Sequence, residues 1–285
     1  MDVNGWQAAF GKLARETMSS PELERYYSVP ITRARARLLL QQLSLYVRHR
    51  RDCWAFVSGN CPVLAVKQKI LAHEYEEMIR DAHSEHGHLD LIIRQGKAIG
   101  LTAKDILEAK PIPSTTATLY AWGWICKKKH WLEGLAAMTM TEWNQDDRLL
   151  ADLGGGHAAR MGELWIKYLG LTWDDLPNWK AHRAADKEHV DMFLSIWEEF
   201  GMGENEEIIL QAARESEELY RVYQTGIAMR WRRFREIINK SPLAPIFQRG
   251  VMRPTLTPHP RKFPSFEKRG IKGDFRRERG YREVK

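Results

Sequence analysis

The chain has 285 residues, 44% hydrophobic and 28% charged, a balance typical of a water-soluble domain with one large core. No stretch offers about 18 consecutive apolar residues, so no membrane span is expected, and residues 1–20 lack the continuous apolar run of a secretory leader. The net charge of +7 is lopsided: residues 249–285 carry twelve Lys or Arg against four Asp or Glu, which leaves residues 1–248 near −1 and gives the body no reason to bind nucleic acid.

Helical periodicity runs along nearly the whole chain. From Pro30, apolar residues recur at three-to-four spacing through Ala34, Leu38, Leu39, Leu43 and Val47. Pro62 starts a second helix with Val63, Val66 and Ile70 on one face, reaching Glu77 and weakening near Gly87. Residues 89–99 and 103–109 form short helices, the first ended by Gly100 and the second capped by Thr102. Further helices are expected from Ser114 or Thr115 to Cys126, and over 130–143, 157–169, 178–200 and 204–239. No segment alternates with period two, so the expected fold is all-α. After Ser241 six prolines punctuate a basic stretch, which sets one domain at 1–241 and a Pro-rich basic tail at 242–285, expected to be disordered. Cys53, Cys61 and Cys126 form no CxxC pair and suit a reducing cytoplasm, where buried small hydrophobes are their expected role.

His182, Asp186 and His189 sit at i, i+4 and i+7, within roughly 60° on a helix turning about 100° per residue. Met192 and Phe193 extend the same stripe as apolar residues, so this polar trio lies on a core-facing line and suits a metal rather than solvent. Glu142 ends an apolar helix in line with Met138, Leu135 and Trp131, and a carboxylate pointing inward there needs a cation or a proton. Glu77 shares the apolar face of His73, Ile70, Val66 and Val63, whereas Glu76 falls with Ala72, Lys69 and Ala65. His83, His86 and His88 follow, and His88 shares the face of Glu77 only if the helix continues past Gly87. Such a mixed O/N donor set favours iron or manganese over structural zinc, which prefers thiolates.

The run from Gly134 to Glu142, the His182, Asp186, His189 spacing, and the segment from Cys61-Pro62 through Glu77 to His88 and Gly100 together resemble the heme-oxygenase-like di-iron oxidases and oxygenases. These are relatives of the chlamydial protein associating with death domains and, more distantly, of pyrroloquinoline quinone synthase and the thiaminase-like proteins. The resemblance covers residues 22–200 and implies a heme-oxygenase-like bundle of about seven main helices, a homodimer, and a metal set of Glu77, His88, Glu142, His182, Asp186 and His189. It implies two iron ions, or manganese in place of one, with O2 as co-substrate and a small amino-acid-derived or fatty-acid-like substrate in a biosynthetic pathway. This chain carries about four extra residues between Glu77 and His88, which keeps Glu76, Asp81 and His83 as alternative ligands. Tyr27 lies where one branch of the family places a tyrosine that serves as its own substrate, but that branch's lysine is replaced here by Asp152, so Tyr27 is a weak catalytic candidate. Two other readings compete: a metal-free enzyme of the same fold, like the quinone synthase or thiaminase, and a binding protein that uses Arg230, Arg232, Arg233, Arg235 and the tail.

Overall fold

The computed structural model describes residues 1–80 and 84–240, without the side chains of 184–187 and 231–240. Among the described residues there is no strand. The helices in chain order are α1 Val3–Met18, α2 Pro21–Ser28, α3 Arg33–Asn60, α4 Leu64–Met78, α5 His88–Ala98, α6 Ala103–Leu107, α7 Pro113–Lys128, α8 Trp131–Trp143, α9 His157–Leu169, α10 Pro177–Phe200 and α11 Glu204–Lys240. Residues 1–237 make one compact unit, and the tail expected over 242–285 lies outside the described residues.

The helix α3 is the hub. It packs against α4, α5, α6, α7 and α8, and it buries residues on more than one face, from Ala36 and Leu40 to Trp54 and Val57. Its start is Thr32, whose hydroxyl accepts from Arg35 N, rather than Pro30; it runs 13 residues past Val47 because Arg50, Cys53, Trp54 and Val57 continue the buried side. The arginine at position 35 is itself buried and donates to the carbonyls of Tyr26 and Val29, which ties α2 to the start of α3.

Two helices at the N-terminus were not expected from the sequence. In α1, Trp6, Phe10, Ala14 and Met18 recur every four residues and are all fully buried. The rings of Trp6 and Phe10 lie 5.4 Å apart, and Phe10 meets Trp143 at 5.5 Å and Trp197 at 5.4 Å. This aromatic cluster presses α1 onto α8 and α10, the two helices that carry Glu142 and His189. Asp2 caps α1 by accepting from Gly5 N at 2.7 Å, and Ser20 with Pro21 starts α2.

The break between α4 and α5 matters most for the site. Helix α4 ends at Met78 and α5 begins at His88 with Gly87 as its cap, so the helix does not run on from Glu77 to His88. A side chain on Gly87 would overlap the Met78 carbonyl, so the chain turns back only because position 87 has none. In α9 the ring of Trp173 rests on Gly162, in space that a methyl group would occupy. Gly162→Ala is expected to lower stability by about 1–3 kcal/mol, through the displaced ring, as read by urea unfolding.

Behind α8 lies a neutral buried acid. Glu217 of α11 is 3% exposed and accepts from Asn144 Nδ2 at 3.0 and 3.1 Å. Burial pushes its carboxyl up to about 8, against the pull of Thr17 and Asn144. The folded chain therefore keeps this proton up to about pH 8, whereas the unfolded chain releases it near the ordinary 4.5, so the Glu217 contribution to stability is lost as pH rises between those values. Unfolding of wild type and Glu217→Gln at pH 6 and pH 8 is expected to show the variant gaining about 1–2 kcal/mol relative to wild type at the higher pH.

Candidate metal centre

Four buried side chains converge between α4, α8 and α10: His73, Glu77, Glu142 and His189, with one ligand atom from each lying within 4.8 Å of the others. Helix α4 supplies His73 and Glu77 one turn apart on the face that also buries Ile70 and Val66. Helix α8 supplies Glu142 at the end of its apolar stripe, and α10 supplies His189. Trp54 holds the imidazole of His73 with ring centroids 4.8 Å apart, and His73 meets His189 edge to face at 4.7 Å.

Each imidazole has one nitrogen turned inward and one engaged by an outer carboxylate. His189 Nε2 lies 3.0 Å from Glu76 Oε2, while its Nδ1 faces Glu77 at 3.6 Å and Glu142 at 3.7 Å. His73 Nδ1 lies 3.3 Å from Glu74 Oε1, and its Nε2 faces Glu142 at 3.8 Å. A carboxylate on the outer nitrogen fixes ring orientation and raises the basicity of the inner one, the arrangement that supports metal-binding histidines. Inside the cluster, His73 Nε2 and Glu77 Oε1 make no hydrogen bond, although both are buried. Two carboxylates and two imidazoles with their donor atoms aimed at a common point suit a divalent transition metal and fit iron.

Cations from α3 offset the acidic charge. Arg50, 4% exposed, donates through Nη2 to Glu142 Oε1 at 2.7 Å and to the Met138 carbonyl at 3.0 Å. Arg51 reaches Glu74 at 3.1 Å and Glu77 at 3.2 Å. Burial would raise the carboxyl of Glu77, but His88, Arg51 and His73 outweigh it and hold it well below the ordinary value. Burial acts on Glu142 in the same way and is outweighed by His189, His73 and Arg50. Both carboxylates are thus ionised and ready for a metal.

A second group adjoins the first. His88 Nδ1 lies 3.1 Å from Glu77 Oε2, and the rings of His88 and His182 meet at 4.3 Å. Glu77 therefore touches both groups. Of the six ligands implied by the family resemblance, Glu77, Glu142 and His189 fall in the tight cluster, and His88 and His182 fall beside it. The side chain of Asp186, together with Asp81 and His83, lies outside the described residues. Glu76, kept as an alternative ligand, instead lies on the outer nitrogen of His189, and the sequence reading missed His73 as a donor, Glu74 as an outer carboxylate, and Arg50 and Arg51 as counter-ions. His73 was nonetheless visible on the stripe of Glu77, one turn earlier.

Glu77, Glu142 and His182 open onto a narrow cavity of about 40 Å³ also lined by Tyr46, Arg50, Gln145, His157, Trp179 and Tyr223. Trp122, Trp131 and Trp143 are buried in the core, and Trp124 is 57% exposed. Tyr27 does not line this cavity but stands behind His157, which does. Its hydroxyl pairs with His157 Nδ1 at 2.7 Å, and the Arg160 guanidinium covers its ring at 3.6 Å. Burial, with the charges of Arg160 and His182, pushes His157 down to about 3, so this imidazole is neutral.

Residues 37–221 match a protein family described as iron-containing redox enzymes. Among solved structures, a domain of unknown function with a heme oxygenase-like fold from Shewanella denitrificans aligns with a TM-score of 0.65 and 16% identity, covering 82% of this chain and 95% of its own. A CADD-like protein of unknown function from Nostoc punctiforme aligns with a TM-score of 0.63 and 14% identity over 80% and 97%. A TenA homologue from P. horikoshii aligns at 0.51 and 13% over 80% and 98%. No curated protein sequence matches. At these identities the structures establish the fold, which is all-α and heme-oxygenase-like. No described helix is long and apolar enough to cross a membrane. The family match spans well over half of the chain and carries the conclusion that this protein belongs to the iron-containing redox enzymes.

Proposed function

We propose that the protein is an O2-dependent non-heme di-iron oxidase or oxygenase that acts on a small molecule held in the cavity beside Glu77 and Glu142. The observation that carries this reading is the buried cluster of His73, Glu77, Glu142 and His189, each imidazole backed by an outer carboxylate. His73 and His189 with Glu142 would hold one iron, and His88 and His182, joined by Asp186 on the strength of its sequence spacing, the other; Glu77, which touches both groups, would serve as a ligand. When bound, the iron would supply the electrons and the affinity for O2 that the side chains lack.

The chain's own residues do the rest. Arg50 and Arg51 keep Glu142 and Glu77 ionised and fixed in place before metal arrives. Glu76 and Glu74 hold the tautomers that leave His189 Nδ1 and His73 Nε2 facing inward. Tyr46, Trp179 and Tyr223 form an aromatic wall that excludes water and packs on the apolar part of a substrate, while Gln145 and Arg50 offer polar groups to orient it. Amino-acid-derived and fatty-acid-like compounds are the classes to screen.

The test is O2 uptake by the full chain loaded anaerobically with Fe(II) and then mixed with oxygenated buffer. Fast uptake in proportion to bound iron, abolished in Glu142→Ala, is the expected result. Uptake no faster than that of the same concentration of free Fe(II) would overturn the reading and favour a metal-free enzyme on this fold.

A further inference from the structure

The cavity that reaches Glu77 and Glu142 has a second wall whose polar atoms are unmatched. Trp179, Tyr220 and Tyr223 all line the cavity and are 1%, 3% and 2% exposed. Trp179 Nε1 and the hydroxyls of Tyr220 and Tyr223 make no hydrogen bond among the described residues, and only Gln224, one turn along α11, approaches the Tyr220 hydroxyl. Buried polar groups nearly always have a partner, and a group that finds none in the protein is met by a ligand or by water. His157 belongs to the same wall. Its ring lies 5.8 Å from Trp179 and 5.9 Å from Tyr220, edge to face with both, so the three side chains form one patch.

Each group of the patch has a proton to give. An indole N–H can only donate, and a phenol with no acceptor in the protein keeps its proton for a ligand. For His157 the tautomer follows from Tyr27, whose hydroxyl lies 2.7 Å from Nδ1; the other acceptor near that hydroxyl is the Met18 sulfur, weak and 3.9 Å away. The phenol therefore donates to Nδ1, and the ring holds its own proton on Nε2, on the edge turned from Tyr27 to the cavity. The charges behind the patch are positive. Arg160 covers the ring of Tyr27 at 3.6 Å, and Arg35 lies 5.0 Å over the ring of Tyr26, which stacks on His157 at 5.9 Å. Arg35 is fully buried and donates to the carbonyls of Tyr26 and Val29, Arg160 donates to that of Met18, and neither pairs with a carboxylate among the described residues. Donors in front and uncompensated cations one layer behind make a place for an anion.

The geometry points to a carboxylate subsite, in which Trp179 Nε1, the Tyr220 hydroxyl and His157 Nε2 donate to the carboxylate oxygens of the substrate. The cavity of about 40 Å³ has room for about three waters, the same number of heavy atoms as a carboxylate group. A phosphate, with five heavy atoms and up to two charges, finds neither that room nor a cation in direct contact. Orientation follows from the two ends of the cavity. Glu77 and Glu142 are ionised and repel an acid group in the metal-free protein, so the carboxylate settles at the donor wall and the carbons next to it turn toward the metal ligands. The acid group thus positions the substrate and leaves the metal ligands' end to the carbons that react. That the anion is the substrate rests on the oxidase reading above; the subsite itself does not.

The experiment measures the binding of propionate, butyrate and hexanoate, and of the three matching amides, to the full chain freed of metal by chelation, using ligand-observed NMR. Acid and amide have nearly the same shape and differ in charge. The expected result is at least one acid bound tenfold or more tighter than its amide. Tyr220→Phe and Trp179→Phe, which remove the donor and keep an aromatic ring, should each weaken that acid by roughly tenfold and its amide by much less, with helix content unchanged by circular dichroism. Tyr120→Phe, at a position 75% exposed on α7, should leave both affinities as they are. Amides bound as tightly as acids, acids bound equally by wild type and by both cavity variants, or no binding of any acid would each overturn the proposal. Because the protein carries no metal in this measurement, a negative result leaves the iron reading intact, and failure to bind iron leaves the subsite intact.

Discussion

Replacing Arg50 by alanine is expected to destabilise the metal-free protein by about 3–5 kcal/mol, the penalty for leaving a buried ion without its partner. Arg50 and Glu142 are 4% and 3% exposed, so water cannot take over the lost contact. The guanidinium also donates to Thr141 Oγ1 at 2.9 Å and to the Met138 carbonyl at 3.0 Å, and it stands 3.3 Å from the Tyr46 hydroxyl. Burial works against its charge, yet Tyr46, Glu142, Glu77 and Glu74 hold Arg50 above its ordinary value, which marks how far this corner depends on the cation. A bound metal ion would offer Glu142 a second positive partner. The loss in the iron-loaded protein is therefore expected to be smaller than in the metal-free protein. Urea unfolding of both forms reads the difference. A loss below about 1 kcal/mol without metal, or an equal loss with and without iron, would contradict this account of the site.

The parts of the architecture legible in the sequence were those written by periodicity. Glu142 stood out because Trp131, Leu135 and Met138 put it on a buried stripe, and Glu77 because Val66 and Ile70 did the same; both carboxylates are buried. The period of four in Trp6, Phe10, Ala14 and Met18 was equally available, but charged residues between them broke the apolar run and hid α1. His88 shows a different limit. It reaches Glu77 through a break in the helix rather than along its face, so helical spacing gave the right neighbour by the wrong route. Arg50 and Arg51 were illegible for a physical reason: arginine is ordinarily a solvated residue, and its burial here follows from α3 being packed on several sides. Glu74 and Glu76 precede Glu77 in sequence, and that they meet the outer nitrogens of His73 and His189 depends on the packing of α4 against α3 and α10.

The central claim is that these side chains hold iron, and elemental analysis of protein produced with iron and purified anaerobically tests it most directly. The comparison is wild type against a His73→Ala, His189→Ala double variant, with circular dichroism to confirm that the variant keeps its helices. The double variant removes two of the four clustered donors and leaves Glu77 and Glu142 with their arginines. Near-stoichiometric iron in the wild type, lost in the folded variant, is the predicted result. Absence of iron from the wild type, or its full retention in the folded variant, would contradict the account.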